Sequence, residues 1–248
     1  MGGGTATRIG SVKTRMRALL PFLPYAIVSI VHVTARFAEH PLDAPSKLWL
    51  MPALALGVLW ASATIRPWPR GVVLLLVASV LFSWLGDGSG TFFPMFDDEL
   101  PMMLLCFGLA HVGYLLLMWR ARGIAVQRIP RWALVYALAY AVMIAILIPH
   151  TGALTVPVIL YGLLLAGTAA MASRCGPVIA WGGAWFLVSD AILSFRIFLP
   201  EAMPAWTSGM VMLTYTLGQG LIAAGIIAAL RRRAAAEPPA IVSARPAS

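Results

Sequence analysis

The chain alternates long apolar runs with short polar interruptions. Eight runs approach the roughly 20 mainly apolar residues that a helix needs to cross a hydrocarbon core. They are Leu19–Phe37, Leu48–Ile65, Val72–Leu85, Leu100–Trp119, Trp132–Ile148, Leu154–Ala172, Val178–Leu199 and Ser208–Leu230. The third is short unless Gly86 and Asp87 are counted with it. The pattern predicts an all-α, polytopic integral membrane bundle of eight transmembrane helices. It divides the chain into a basic N-terminal segment (1–18), a membrane domain (19–230) and an Ala/Pro/Arg-rich tail (231–248) expected to be disordered.

Composition excludes a soluble alternative. Hydrophobic residues make up 60% of the 248 and charged residues 11%, against about 25% charged in an ordinary soluble domain. Mean hydropathy is +0.87. Such a chain cannot cover itself with a charged surface, so lipid must solvate much of it. The net charge of +9 does not point to nucleic acid. The basic residues sit in short clusters between apolar runs, where they set topology and face anionic lipid, and there is no nucleic-acid-binding motif.

With the N-terminus in the cytoplasm, fifteen of the eighteen Lys and Arg fall on that side, leaving only Arg36, Lys47 and Arg196 opposite. Glu39, Asp43, Asp97, Asp98, Glu99 and Glu201 fall in the outer loops. The bias predicts both termini in the cytoplasm. The basic start followed by an apolar run resembles a signal peptide. However, Pro21, Pro24 and His32 lie within the run and no small-residue cleavage site follows, so it reads as a first span. Cys106 and Cys175 are expected at different depths and unpaired.

An ionisable group in a span costs at least ~2.5 kcal/mol on insertion scales, and it usually faces the bundle interior with a function. The candidates are His32, Lys47, Asp87, His111, Asp190 and Arg196, with Tyr114, Tyr161, Ser189, Tyr215 and Gln219 as neutral polar companions. Counted along the alternating spans, most fall in the outer half, where one cavity could hold them. His111 and Tyr114 share a helix face, as do Tyr215 and Gln219. The alternative for His32 is a structural interhelical hydrogen bond. For Asp190 it is a buried ion pair with Lys47 or Arg196, and for Arg196 it is snorkelling to the surface.

Several of these residues fall in recognisable pieces. They are Ser46-Lys47-Leu48-Trp49-Leu50-Met51-Pro52, then Gly86-Asp87, then Phe107-Gly108-Leu109-Ala110-His111 with Tyr114. Tyr161 follows, then Gly183-Ala184-Trp185-Phe186-Leu187-Val188-Ser189-Asp190, and Thr214-Tyr215 with Gln219. In this order the chain resembles the YhhN family, the lysoplasmalogenases. It departs from the family pattern at Gly88-Ser89-Gly90 after Asp87, and at Lys47, which no Pro follows until Pro52.

The resemblance implies an eight-span enzyme, expected in the bacterial cytoplasmic membrane and without a cofactor. It would hydrolyse the vinyl ether bond of a lysophospholipid that enters from the bilayer. It implies Asp190, Asp87 and His111 as catalytic residues, and Lys47, Tyr114, Tyr161, Ser189, Tyr215 and Gln219 as substrate-binding residues. The chemistry suits two carboxyl groups, one protonating carbon and the other stabilising the oxocarbenium ion or activating water. Asp190, with apolar neighbours, is expected as the acid. Asp87, beside Gly and Ser at the wet end of its span, is expected as the carboxylate. Three other functions remain open from the residues alone: a small transporter with an Asp/His proton relay, a metal-dependent hydrolase using Asp87, His111 and Asp190, and a non-catalytic lipid-binding protein.

Overall fold

A computed structural model describes residues 18–121 and 123–236. These residues are helical and contain no strand. Eight helices are long and apolar enough to cross a membrane. We number them α1 (Leu23–Phe37), α2 (Asp43–Ser62), α3 (Arg70–Asp87), α4 (Leu100–Arg120), α5 (Leu134–Leu147), α6 (Thr155–Ala172), α7 (Pro177–Phe198) and α8 (Thr207–Ala236). The chain is an integral membrane protein. Its outward faces carry large apolar side chains such as Leu56, Trp60, Leu134, Leu138 and Leu163. Exposure of this kind is stable only against lipid.

Two boundaries differ from those read off hydropathy. The second helix begins at Asp43, five residues before the apolar run, so Lys47 lies inside it. Its first turn is polar but helix-competent, with Pro45 placed where no intrahelical N–H is needed. The eighth helix continues to Ala236, so Arg231–Ala236, expected as the start of a disordered tail, are helical. Arg231 is tied back to the bundle by hydrogen bonds to the carbonyls of Ala18 (3.3 Å) and Ala61 (2.8 Å). The rest of that tail and the basic segment before residue 18 lie outside the described residues. The two ends of the described chain thus meet at one end of the bundle, and the site lies toward the other, distal end.

The eighth helix is the most buried, packing on α7, α1 and α2. The α7–α8 seam depends on glycine. A Cβ on Gly218 would lie 2.8 Å from the backbone nitrogen of Phe186, and one on Gly182 would lie 2.8 Å from that of Ile222. Small residues let two membrane helices approach backbone to backbone. By contrast, α5 packs mainly on α6 and sits at the edge of the bundle.

Pro52 lies inside α2. Having no N–H, it leaves the carbonyl of Leu48 without its helical partner, and the indole of Trp84 on α3 donates to that carbonyl at 2.9 Å. The tie fastens the distal end of α3, where Asp87 sits, to the stretch of α2 that carries Lys47. After Asp87 the chain makes a single turn, Ser89–Phe92, and Phe92 folds onto Trp84 with ring centroids 4.6 Å apart. A Cβ on Gly88 would lie 2.5 Å from the Phe92 ring. The glycine that departs from the family pattern is what lets this turn close.

Candidate active site

Asp87 and Asp190 line one cavity of 130 Å³ near the distal end. Six of the eight helices contribute to it. His32 and Arg36 come from α1, Lys47 from α2, Phe107 from α4, Ser189 and Arg196 from α7, and Tyr215 from α8, with Asp87 closing α3. Both carboxylates are buried, at 9% and 5% exposure, so Asp87 does not sit at a wet helix end as its Gly and Ser neighbours suggested. The Phe107 ring packs against neighbouring Gly86, where a Cβ would approach within 2.6 Å.

Each Asp is held by a tyrosine from another helix. The Tyr215 hydroxyl donates to Asp87 Oδ2 at 2.8 Å. The Tyr161 hydroxyl, from α6, donates to Asp190 Oδ2. Asp190 is paired with neither Lys47 nor Arg196. Its other neighbour is His111, whose Nε2 lies 3.7 Å from the same oxygen. The tautomer of His111 follows from its opposite nitrogen. Thr168 donates its one hydroxyl proton to the Leu164 carbonyl at 2.8 Å. At 3.1 Å it therefore accepts from His111 Nδ1–H. Nε2 is the nitrogen turned to Asp190 and to the Tyr161 hydroxyl, 3.5 Å away.

On its other side Asp190 borders a narrow apolar crevice of 20 Å³ between α4, α6 and α7, lined by Leu100, Leu104, Val158, Tyr161, Leu165 and Ile197 among others. At the cavity mouth three cations are differently engaged. Arg36 pairs with Asp43 and donates to Ser208. Arg196 donates to Thr207 at 2.6 Å and to the Pro204 carbonyl at 3.2 Å. Lys47 makes no hydrogen bond or ion pair among the described residues and is half-buried. Among the described residues no three His, Cys, Asp or Glu side chains converge as a metal-ligand set, so Asp87, His111 and Asp190 do not form one.

The model of the YhhN family matches residues 42–226, most of the chain and all of the site except its α1 residues. The chain belongs to the YhhN family. No match is found among curated proteins or among solved structures.

In this YhhN protein the sequence-predicted residues separate into three groups. Lys47, Asp87, Ser189, Asp190 and Tyr215 line the cavity, although the Ser189 hydroxyl is already given to the Val211 carbonyl at 3.1 Å, where it joins α7 to α8. Tyr161 and His111 meet at Asp190, Tyr161 on the crevice wall and His111 behind the carboxylate with no exposure. Tyr114 and Gln219, expected to bind substrate, line neither the cavity nor the crevice. The Tyr114 hydroxyl donates to Gln219 Oε1 at 2.5 Å, and Gln219 donates to Ser83 Oγ at 2.9 Å. This chain of polar groups is fully buried and bridges α4, α8 and α3, satisfying itself where no water or lipid can. His111 and Tyr114 share a face in sequence spacing, but the three-residue offset turns them to different partners.

Sequence reasoning missed Arg36 and Asp43 as site residues, and for His32 it left a structural interhelical hydrogen bond open beside a functional role. The signal was available in the i, i+4 spacing of His32 and Arg36, which puts two polar side chains on one face of an otherwise apolar helix end.

Proposed function

We propose that this YhhN protein is a membrane-embedded hydrolase that cleaves the vinyl ether bond of a lysoplasmalogen. The products would be a fatty aldehyde and a glycerophospho-ethanolamine or -choline. The observation that carries the reading is the pair of buried carboxyl groups on one small cavity, with cations at its mouth and an apolar crevice beside Asp190. That arrangement matches an amphiphile whose reactive bond lies between a charged head and an alkyl chain. Lys47, which makes no hydrogen bond or ion pair among the described residues, takes the head-group phosphate. The crevice takes the chain once its Leu side chains move apart.

In the reaction Asp190, protonated on Oδ1, gives its proton to the β-carbon of the vinyl ether, and the resulting oxocarbenium ion is stabilised by the Asp87 carboxylate. Oδ1 is free to do so because Tyr161 and His111 both face Oδ2. Water adds to the cationic carbon and passes a proton to Asp87. The hemiacetal then collapses to aldehyde, its hydroxyl proton going to the departing glycerol oxygen. Transfer of a proton from Asp87 to Asp190 across the shared cavity restores the site. One water is consumed and no cofactor is needed.

With the termini in the cytoplasm of a bacterial inner membrane, as the basic residues favour, the cavity draws substrate from the outer half of the bilayer. The test is to incubate the purified protein with a lysoplasmalogen and with the matching saturated ether lysolipid, and to assay free aldehyde. Aldehyde from the first alone is expected. No aldehyde from a folded preparation would end the reading.

A further inference from the structure

His32 stands on the cavity wall yet belongs to none of the catalytic pairs. Its side chain is 1% exposed, and its Nε2 has no hydrogen-bond partner. The opposite nitrogen fixes what Nε2 can do. Ser46 donates its one proton to a backbone carbonyl of its own helix, that of Leu42 at 2.5 Å or of Asp43 at 3.0 Å. Its oxygen, 2.9 Å from His32 Nδ1, must therefore accept from Nδ1–H. Asp43 Oδ1, 3.5 Å away, reinforces the same proton. The neutral ring thus presents Nε2 as a bare acceptor. A buried polar atom without a partner is destabilising, and native structures rarely keep one unless a ligand or water meets it.

We propose that His32 is a specificity residue of this site: its Nε2 accepts a hydrogen bond from the free hydroxyl of a single-chain ether lipid, the one on the glycerol carbon next to the ether-bearing carbon. The inference rests on the hydrolase reading above and names the residue that reads the hydroxyl a lysoplasmalogen leaves uncapped. The cations around the cavity suit the phosphate and the two carboxyl groups the reacting bond, which leaves the hydroxyl of the glycerol backbone, and His32 is a cavity-lining acceptor that neither the fold nor the proposed chemistry already uses. Size agrees. A cavity of 130 Å³ is well below the roughly 300–1,000 Å³ of pockets that enclose whole drug-sized ligands. A long acyl chain on that hydroxyl would not fit within it. A lipid acylated at that hydroxyl would bring both a missing donor and a clash.

The test separates binding from hydrolysis. The probes are a saturated 1-alkyl lysophospholipid and its 2-O-methyl ether, neither of which has a vinyl ether to cleave. Equilibrium binding is measured in one detergent for the wild type, His32→Asn and His32→Gln, each checked by thermal unfolding. The wild type should bind the free hydroxyl about tenfold more tightly than the methyl ether. His32→Asn keeps a donor for Ser46 but lacks an acceptor at the Nε2 position, and it should discriminate less than about twofold. His32→Gln places a carbonyl near the Nε2 position and should recover part of the preference. Equal binding of both probes by the wild type overturns the proposal, as does full discrimination in folded His32→Asn. If the wild type shows no discrimination but releases aldehyde from lysoplasmalogen, the His32 assignment alone fails. If it binds neither probe and releases none, the hydrolase reading fails and this proposal with it. If His32→Asn does not fold, the wild-type comparison and His32→Gln still decide.

Discussion

The Tyr215 hydroxyl spans from α8 to the last residue of α3 and donates a 2.8 Å hydrogen bond to Asp87. It fixes the direction in which the carboxylate faces the cavity, with its ring held edge-on between Phe107 and Phe186 at centroid distances of 6.0 and 5.6 Å. Tyr215→Phe keeps the ring and removes only the donor. A hydrogen bond to a charged acceptor contributes about 1.5–3 kcal/mol, so aldehyde release per folded molecule should fall about ten- to a hundredfold. A full-rate Phe variant would show that Tyr215 is packing alone.

Asp190→Asn and Asp87→Asn remove a proton donor and a proton acceptor with almost no change in shape. General acid–base groups contribute about 10²–10⁴-fold, so each variant should lose at least about a hundredfold in turnover while still inserting and folding. Ser189→Ala should lose far less, because that hydroxyl already serves the Val211 carbonyl. Near-full activity in either folded Asn variant would remove that residue from the chemistry.

Lys47 is the test of head-group binding. Lys47→Gln should raise KM about tenfold for a phosphate-bearing lysolipid, the size of one charge-assisted contact, and leave kcat within a few-fold. A drop in kcat at constant KM would place Lys47 instead in the transition state, acting on Asp87.

Tyr114→Phe tests the opposite expectation. It strands the buried Gln219 carbonyl, a loss of about 1–3 kcal/mol, so the unfolding temperature in detergent should fall while turnover per folded molecule stays close to wild type. A large kinetic effect without a stability change would return Tyr114 to the site.

Topology is checked with reporters fused after Ala234 and within Asp97–Glu99. The distribution of basic residues predicts opposite readings, cytoplasmic at Ala234. Matching readings at the two positions would break the eight-span map.

The spans were legible because length and apolarity alone make a membrane helix. Where they began was less so, since a polar first turn such as Asp43–Ser46 is invisible to hydropathy but is helical. The two aspartates were legible for the opposite reason, as charge inside an apolar run needs a use. What the sequence hid was rotation. A helix that is apolar on all sides gives no stripe to say which face turns inward. The partners of His111, Tyr114 and Gln219 therefore depended on packing, and Tyr114 and Gln219 turned out to face each other. For His32 the sequence left a structural and a functional reading open, because its unsatisfied nitrogen depends on its neighbour Ser46, whose proton is used elsewhere.

The glycine seam at Gly182 and Gly218 also has a mechanical consequence. Two helices in backbone contact cannot slide or part without losing that contact along much of their length, so α7 and α8 move as one stiff beam. Asp190 and Tyr215 ride on it together. Compliance is left to the opposite flank, where α5 leans on α6 at the rim. Under the proposed reaction, breathing of that flank on the microsecond-to-millisecond scale of helix motions would widen the crevice for an alkyl chain. Tyr161, carried on α6, ties that flank to Asp190 on the beam through its hydroxyl. Asp190 therefore sits on the boundary between the stiff half of the bundle and the compliant one.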